Sequence, residues 1–547
     1  MESTSSSEDA SATEPPIVPE YPTSFIARIK RVILGKPRDI KDPGIFHRIS
    51  LVAFFAWVGL GADGLSSSAY GPEEAFRALG EHMYLAVALV LATAFTIFII
   101  SYSYSRIIEH FPSGGGGYVV ASKLLGPRYG VVSGSALLID YVFTISVSIA
   151  SAADQIFSFL PPAAAQYKLF LVTLSIVVLM ILNMRGVKES VTVLMPIFIL
   201  FILTHAILIL GGIASHVVDA PRVITEVQTG FANNYSTLGF FGLFAIAAHA
   251  YSMGAGTYTG IEAVSNGMQI MREPKVHTAR RTMLYMSISL AATAGGILIC
   301  YLLFNVTPEA GKTMNASLLE RFAGGWEFGN LPVGSFFVMI SLVSSAALLF
   351  VAAQAGFIDG PRVMSNMAID SWLPHRFRVL SDRLTMQNGV ILISIAAVLM
   401  LYITGGDTST LILMYSINVF LTFTLSQTGM IRFWIGNRNR DADWSRHIVI
   451  HIIGFALCCS ILILNLFEKF HDGGWLTILL TGILVGLCAV IKSHYEVVRT
   501  HLSRLDDILT EIPTVATNAV PSRLDKKAPT AVVLVSSYGG LGMHTFL

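Results

Sequence analysis

Charge is scarce in this chain: Asp, Glu, Lys and Arg make up 13% of its 547 residues, against 53% hydrophobic. Soluble domains carry about a quarter charged residues, so a soluble globular protein is excluded and most of the chain must lie in lipid. A mean hydropathy of +0.65 agrees. Cysteine is also scarce. Cys300, Cys458, Cys459 and Cys488 all fall in apolar stretches, where a thiol acts as a small hydrophobe, so neither a disulfide framework nor a zinc site is implied. Residues 1–25 are rich in Ser, Glu and Pro and lack an apolar core. That excludes a cleavable signal peptide, reads as a disordered tail, and leaves the first span to direct insertion. The formal net charge of +1 decides nothing about partners, and no nucleic-acid partner is expected.

What is present is a series of apolar runs long enough to cross a bilayer, for which about 20 residues suffice. They fall at 49–79, 83–108, 129–160, 168–185, 189–213, 236–270, 280–306, 331–356, 388–404, 408–431, 447–467 and 475–493, which makes twelve. All Lys and Arg except Arg77, Lys168, Arg222, Lys312, Arg321 and Lys469 fall on one side of these runs. The positive-inside rule makes that side cytoplasmic and places both termini there, as an even number of spans requires. The expectation is a multi-pass protein of the cytoplasmic (inner) membrane.

Two spans are interrupted. In the first, Asp63-Gly-Leu-Ser-Ser-Ser-Ala-Tyr70-Gly-Pro-Glu73 places a carboxylate, serines and glycines inside an apolar run, and the break is expected at Asp63. In the sixth, Gly254-Ala-Gly-Thr-Tyr-Thr259-Gly-Ile-Glu262 does the same before a resumed helix. Matched breaks in two halves predict an all-α membrane protein of twelve transmembrane helices. It would have two inverted five-helix repeats, discontinuous first and sixth helices, two extra helices and a site near the membrane midplane.

A carboxylate at membrane depth costs about 2.5–3.5 kcal/mol on insertion scales and needs a partner, a cation or a proton. Asp63 and Glu262 stand at the two breaks, and no Lys or Arg is expected in a neighbouring span, so together they favour a cationic substrate. In the third span Tyr141, Thr144 and Ser148 share one helical face and could line a site with hydroxyl oxygens. Alternatively, Thr144 and Ser148 bond back to their own helix carbonyls. Asp140 lies about 100° round the helix from Tyr141 and suits a proton relay better than a ligand. Asp154, near the outer end of that span, is expected in water. Tyr70 and Tyr415 could each offer a phenol oxygen to a cation or anchor the membrane interface.

Other features carry less. His205 and His249 lie within or beside spans and are expected to be packed and hydrogen-bonded. His447 and His451 are spaced like a metal pair, but no Glu follows His447 and no third ligand is evident, so zinc is not expected. Pro112-Ser-Gly-Gly-Gly-Gly-Tyr118 lacks the Lys and Ser or Thr of a phosphate loop and reads as a tight turn between spans two and three. No cofactor is called for.

With their neighbours, these breaks resemble the amino acid, polyamine and organocation (APC) transporter superfamily, whose second loop has a pattern like Pro112–Tyr118. Asp63–Glu73, Asp140-Tyr141-Val-Phe-Thr144, Thr259-Gly-Ile-Glu262-Ala-Val-Ser-Asn266-Gly267 and Leu425-Ser-Gln-Thr-Gly-Met430 are similar to the KimA-type potassium/proton symporters of the KUP group. So is Glu468-Lys-Phe-His-Asp-Gly-Gly-Trp475, and the resemblance covers roughly residues 45–495. It implies a potassium site formed by Asp63, Tyr70, Tyr141, Thr144, Thr259, Glu262 and Tyr415, with Asp140 and Glu262 in proton coupling. A dehydrated potassium ion needs a cage of oxygens in place of its water, and carbonyls at the breaks can complete it.

The expected function is therefore proton-coupled potassium uptake by alternating access, with potassium, proton and lipid as partners. The alternative is a permease for amino acids, cationic amino acids or polyamines. No enzyme is expected, because nothing flanking Asp63 and Asp140 resembles a hydrolase. The expected domains are a cytoplasmic tail at 1–45, a transporter domain at 46–493 and a cytoplasmic segment at 494–547. That last segment holds a strand-like run at Ala531–Val535 and resembles the start of the cytosolic domain that supports a homodimer in this group.

Overall fold

The computed structural model describes residues 50–112, 114, 116–329, 331–440 and 443–510. The N-terminal tail and the strand expected at 531–535 lie outside them. Within them the protein is helical, with backbone bridges only at Leu51 to Met271 and Phe328 to Leu331. Ten of the helical stretches described are long and apolar enough to cross a membrane, and Gln387–Ile403 is a shorter apolar helix.

The first apolar run is made of three short helices, α1 (Ala53–Gly59), α2 (Gly61–Ser66) and α3 (Gly71–Leu79). It continues through α4 (Ala86–His110), α5 (Gly116–Leu124), α6 (Pro127–Phe157), α7 (Lys168–Arg185) and α8 (Val187–Ser215). Next come α9 (Ala220–Met253), the four-residue α10 (Ala263–Asn266), α11 (Lys275–Leu303) and α12 (Met314–Ala323). The last five are α13 (Val333–Ile369), α14 (Gln387–Ile403), α15 (Thr408–Gly436), α16 (Trp444–Glu468) and α17 (Trp475–Thr510).

The packing is that of a protein whose solvent is lipid. α7 turns Phe170, Leu174 and Val178 outward, where hydrocarbon takes them without penalty. The interior holds small and polar residues instead. Of the apolar window of α6, 94% is buried inside the protein, against 17% for α17, which makes α6 the central helix. Its Ser133, Ser135, Ser146 and Ser151 are all buried. α13 lies closest against α6 because Gly356 and Gly360, four apart, present no side chain. A Cβ on Gly356 would stand 2.7 Å from Ile145 Cγ1 and 2.9 Å from the Tyr141 carbonyl oxygen.

Three boundaries differ most from expectation, the last of them being α17, which runs to Thr510 and not to 493. The eighth apolar run does not end at 356: α13 continues to Ile369, carrying Asp359 and Arg362, which the bounds 331–356 left outside the span. The sixth begins earlier, at Ala220, as two helical pieces joined at Gly239, whose φ is +67°.

Candidate functional site

The first break starts from Ser66, Ser67 and Ser68. Their hydroxyls donate to the carbonyls of Asp63 (2.8 Å), Gly64 (2.5 Å) and Leu65 (2.7 Å), one turn back. Such back-bonding satisfies carbonyls where a helix ends inside a membrane. Helix α2 therefore runs through Asp63, and the departure falls at Ser67–Tyr70, later than expected. Tyr70 has φ −134°, after which Pro72 in the first turn starts α3.

The second break is longer. Gly254–Tyr258 forms a 3-10 turn, Thr259 is extended, and Gly260 takes a φ of +79°, which only glycine adopts freely. The expected resumed helix is no more than α10 and a 3-10 turn to Ile270. The two breaks touch: Ser67 Oγ donates to the Thr257 carbonyl at 2.8 Å. Their inner ends are stitched by Leu51 N to Ile270 O at 2.7 Å and Arg272 N to Leu51 O at 2.9 Å.

Around this crossing the expected residues converge. Tyr70 OH lies 3.4 Å from Thr259 Oγ1, and Thr144 Oγ1 lies 3.2 Å from Tyr415 OH. Thr144 also donates to the Asp140 carbonyl at 3.0 Å, so its hydroxyl both back-bonds and faces the site. Tyr141 OH is held by the Asn266 amide at the second break. Asp63, Asp140 and Glu262 are each at most 4% exposed and act on one another electrostatically. Among the described residues none of the three forms an ion pair. Both oxygens of Asp140 and Oε2 of Glu262 have no hydrogen-bond partner. No three His, Cys, Asp or Glu among the described residues converge as a metal centre, so a cation here would depend on hydroxyl and carbonyl oxygens beside the carboxylates.

Other candidates fall elsewhere. Ser148 is buried on the same helix. Asp154 is a third exposed as expected, yet paired with Lys168 at 2.5 Å and bonded by Thr408. It lines a cavity of about 330 Å³ that reaches Tyr70, Glu73 and Glu74. His205 is packed on Phe201 with ring centroids 3.8 Å apart. His249 is half-exposed and pairs with Glu468, away from the breaks. Outside the spans, Lys312 has its pKa raised by hydrogen bonding to Glu320.

Two features of this region escaped the sequence. Asp359 is fully buried, acts on Asp63, Glu262 and Tyr141, and accepts from Arg362 Nη1 at 3.3 Å while its Oδ2 stays unpartnered. The expectation that no Lys or Arg lies in a neighbouring span is thereby corrected: Arg362 is there, paired to Asp359, and Lys469 is buried, its Nζ donating to the Ser252 carbonyl and to Ser416 Oγ at 3.0 Å each. The glycine turn also has a role beyond chain reversal. Gly116 has φ +44°, and a Cβ there would stand 1.7 Å from Asn266 Oδ1, so the turn seats itself against the second break.

The sequence profile described as amino acid permease matches residues 50–488. The potassium transporter KimA of Bacillus subtilis (strain 168) is 31% identical over 491 residues, covering 88% of this chain and 77% of that protein. Among solved structures, the manganese transporter of Eremococcus coleocola bound to an aromatic bis-isothiourea substituted compound is similar. It has 12% identity and a TM-score of 0.44, over 84% of this chain and 97% of that one. A mutant of the same transporter has 14% identity and a TM-score of 0.42, over 84% and 96%. The chain belongs to the amino acid permease family of the APC superfamily and is a multi-pass secondary transporter, not an enzyme.

Proposed function

We propose that the chain imports potassium together with protons, using twelve spans in two inverted repeats, with both termini cytoplasmic and one bundle rocking against the other. The observation that carries this reading is the buried group of Asp63, Asp140 and Glu262, which no cationic side chain among the described residues neutralises. Three carboxyl groups in one low-dielectric site need a cation or bound protons, and exchange of one for the other couples two fluxes. The hydroxyls of Tyr70, Thr144, Thr259 and Tyr415 supply neutral oxygens beside them, as a dehydrated potassium ion needs. The relative named as a potassium transporter supports the choice of ion. An amino acid substrate is the weaker reading, because its carboxylate would meet these acids.

The test is growth of a potassium-uptake-deficient bacterium on limiting potassium, expressing wild type, Asp63→Asn or Glu262→Gln at matched membrane levels. Rescue by wild type and loss in both variants is expected. A well-inserted wild type that gives no rescue overturns potassium import.

A further inference from the structure

Helix α9 is longer than a span that starts from a midplane break can use. Residues 240–253 rise about 21 Å at about 1.5 Å each, whereas half of a hydrocarbon core is about 15 Å. The chain is therefore already out of the hydrocarbon at Gly239, where φ +67° and ψ 179° interrupt the helix. A Cβ on Gly239 would meet nothing within 4 Å, so glycine is there for the turn and not for a close approach. Residues 220–238 before it form a helical piece of their own, about 28 Å long.

Three points fix how that piece lies. Ala220 follows the end of α8 at Ser215 by a short turn. Gly230, near the middle, rests on Tyr84, whose Cδ1 would stand 2.9 Å from a Cβ there, and Tyr84 lies in the 3-10 turn that opens α4. Gly239 opens the part of α9 that runs to the second break. All three are ends of spans on the side away from the basic loops, so the piece runs along that surface and neither crosses the membrane nor stands clear of it.

Its faces are sorted to match. Val223, Val227, Gly230 and Asn234 are half-buried against the protein. Ile224, Phe231, Tyr235 and Leu238, seven, four and three residues apart, form one stripe beside them and are 55%, 46%, 50% and 43% exposed. Thr225, Thr229, Asn233 and Ser236 are exposed on a third face. There Arg222 pairs with Glu226 at 3.7 Å, so the two charges cancel.

We propose that residues 220–238 are an interfacial helix seated in the outer boundary of the bilayer, with Ile224, Phe231, Tyr235 and Leu238 among the acyl chains and the threonine face in water. The lipid that fits is zwitterionic: the one Arg is already paired, and burial of the apolar stripe does the holding. Through the turn at Gly239 this helix ties the outer half of the second broken span to the membrane surface.

The test places a nitroxide on the full chain at Phe231→Cys, Tyr235→Cys, Thr229→Cys or Asn233→Cys, in phosphatidylcholine liposomes. Collisions with oxygen, which concentrates in lipid, and with a water-soluble nickel chelate report the depth of each label. All four side chains are exposed, so the label overfills no packed site. The wild-type chain labelled in the same way gives the background from Cys459, the native cysteine that is not buried. Labels at 231 and 235 are expected about 5–10 Å below the phosphates and hidden from nickel, and those at 229 and 233 open to it. Nickel that reaches all four labels equally overturns the proposal, because the helix then stands in water. So does exclusion of both probes from 231 and 235, with spin–spin broadening that fades on dilution with unlabelled chain, which puts a second copy on the stripe.

Discussion

Gly260 and Asp63 meet where the two broken spans cross: a Cβ on residue 260 would stand 2.8 Å from Asp63 Oδ2 and 2.6 Å from the amide nitrogen of Gly64. Glycine is required there twice over, for the approach and for the φ of +79°. Gly260→Ala adds about 1–3 kcal/mol of backbone strain before the clash is counted. Rubidium uptake at matched membrane levels is expected to fall at least tenfold; uptake near wild type would show that the crossing is looser than described.

Tyr70 and Thr259 face each other across the breaks at 3.4 Å. Tyr70→Phe removes one oxygen from the proposed cage and keeps the ring. The apparent potassium affinity should weaken about fivefold, equivalent to about 1 kcal/mol for one hydrogen-bonding group. Concentration-dependent rubidium uptake measures it, and an unchanged half-saturation would remove Tyr70 from the cage.

Asp359 and Arg362 form an ion pair in which the carboxylate is fully buried and the guanidinium side chain 15% exposed. Breaking such a pair from one side leaves an uncompensated charge and costs about 3–5 kcal/mol. Arg362→Met should therefore lower thermal stability in detergent, and Asp359→Asn added to it should restore much of the loss. A double variant no more stable than Arg362→Met would show that the two side chains act independently.

Gly360 packs so closely that a Cβ would lie 2.2 Å from Ile393 Cδ1 and 3.4 Å from Tyr141 Cβ. Gly360→Leu overfills that contact, and overpacking of this kind costs about 1–3 kcal/mol or more. Less monodisperse protein on size-exclusion chromatography is the expected outcome, and a sharp wild-type peak would contradict it.

Much of the site was legible because its residues break the logic of a lipid-spanning run. Asp63, Asp140 and Glu262 are each costly in hydrocarbon wherever the helix turns, so their presence alone marks them. The hydroxyl face of Tyr141 and Thr144 follows from helical spacing. Asp359 was hidden by the opposite circumstance. Asp-Gly-Pro-Arg has the composition of a turn, and only packing of α13 against α6 keeps that stretch helical and buried.

Composition and the order of residues along the chain determined that this protein lives in a membrane, that two spans are interrupted and that acidic groups stand at membrane depth. Each of these is a cost that a single segment carries by itself, whatever surrounds it. Tertiary structure alone decided how the two breaks meet, with Ser67 Oγ donating to the Thr257 carbonyl. It alone brought Asp359 to the site and set Gln427 against His451, because those contacts join helices far apart in the chain. In lipid the face a helix buries is chosen by small residues and polar partners on its neighbours, and no hydrophobic stripe announces it beforehand.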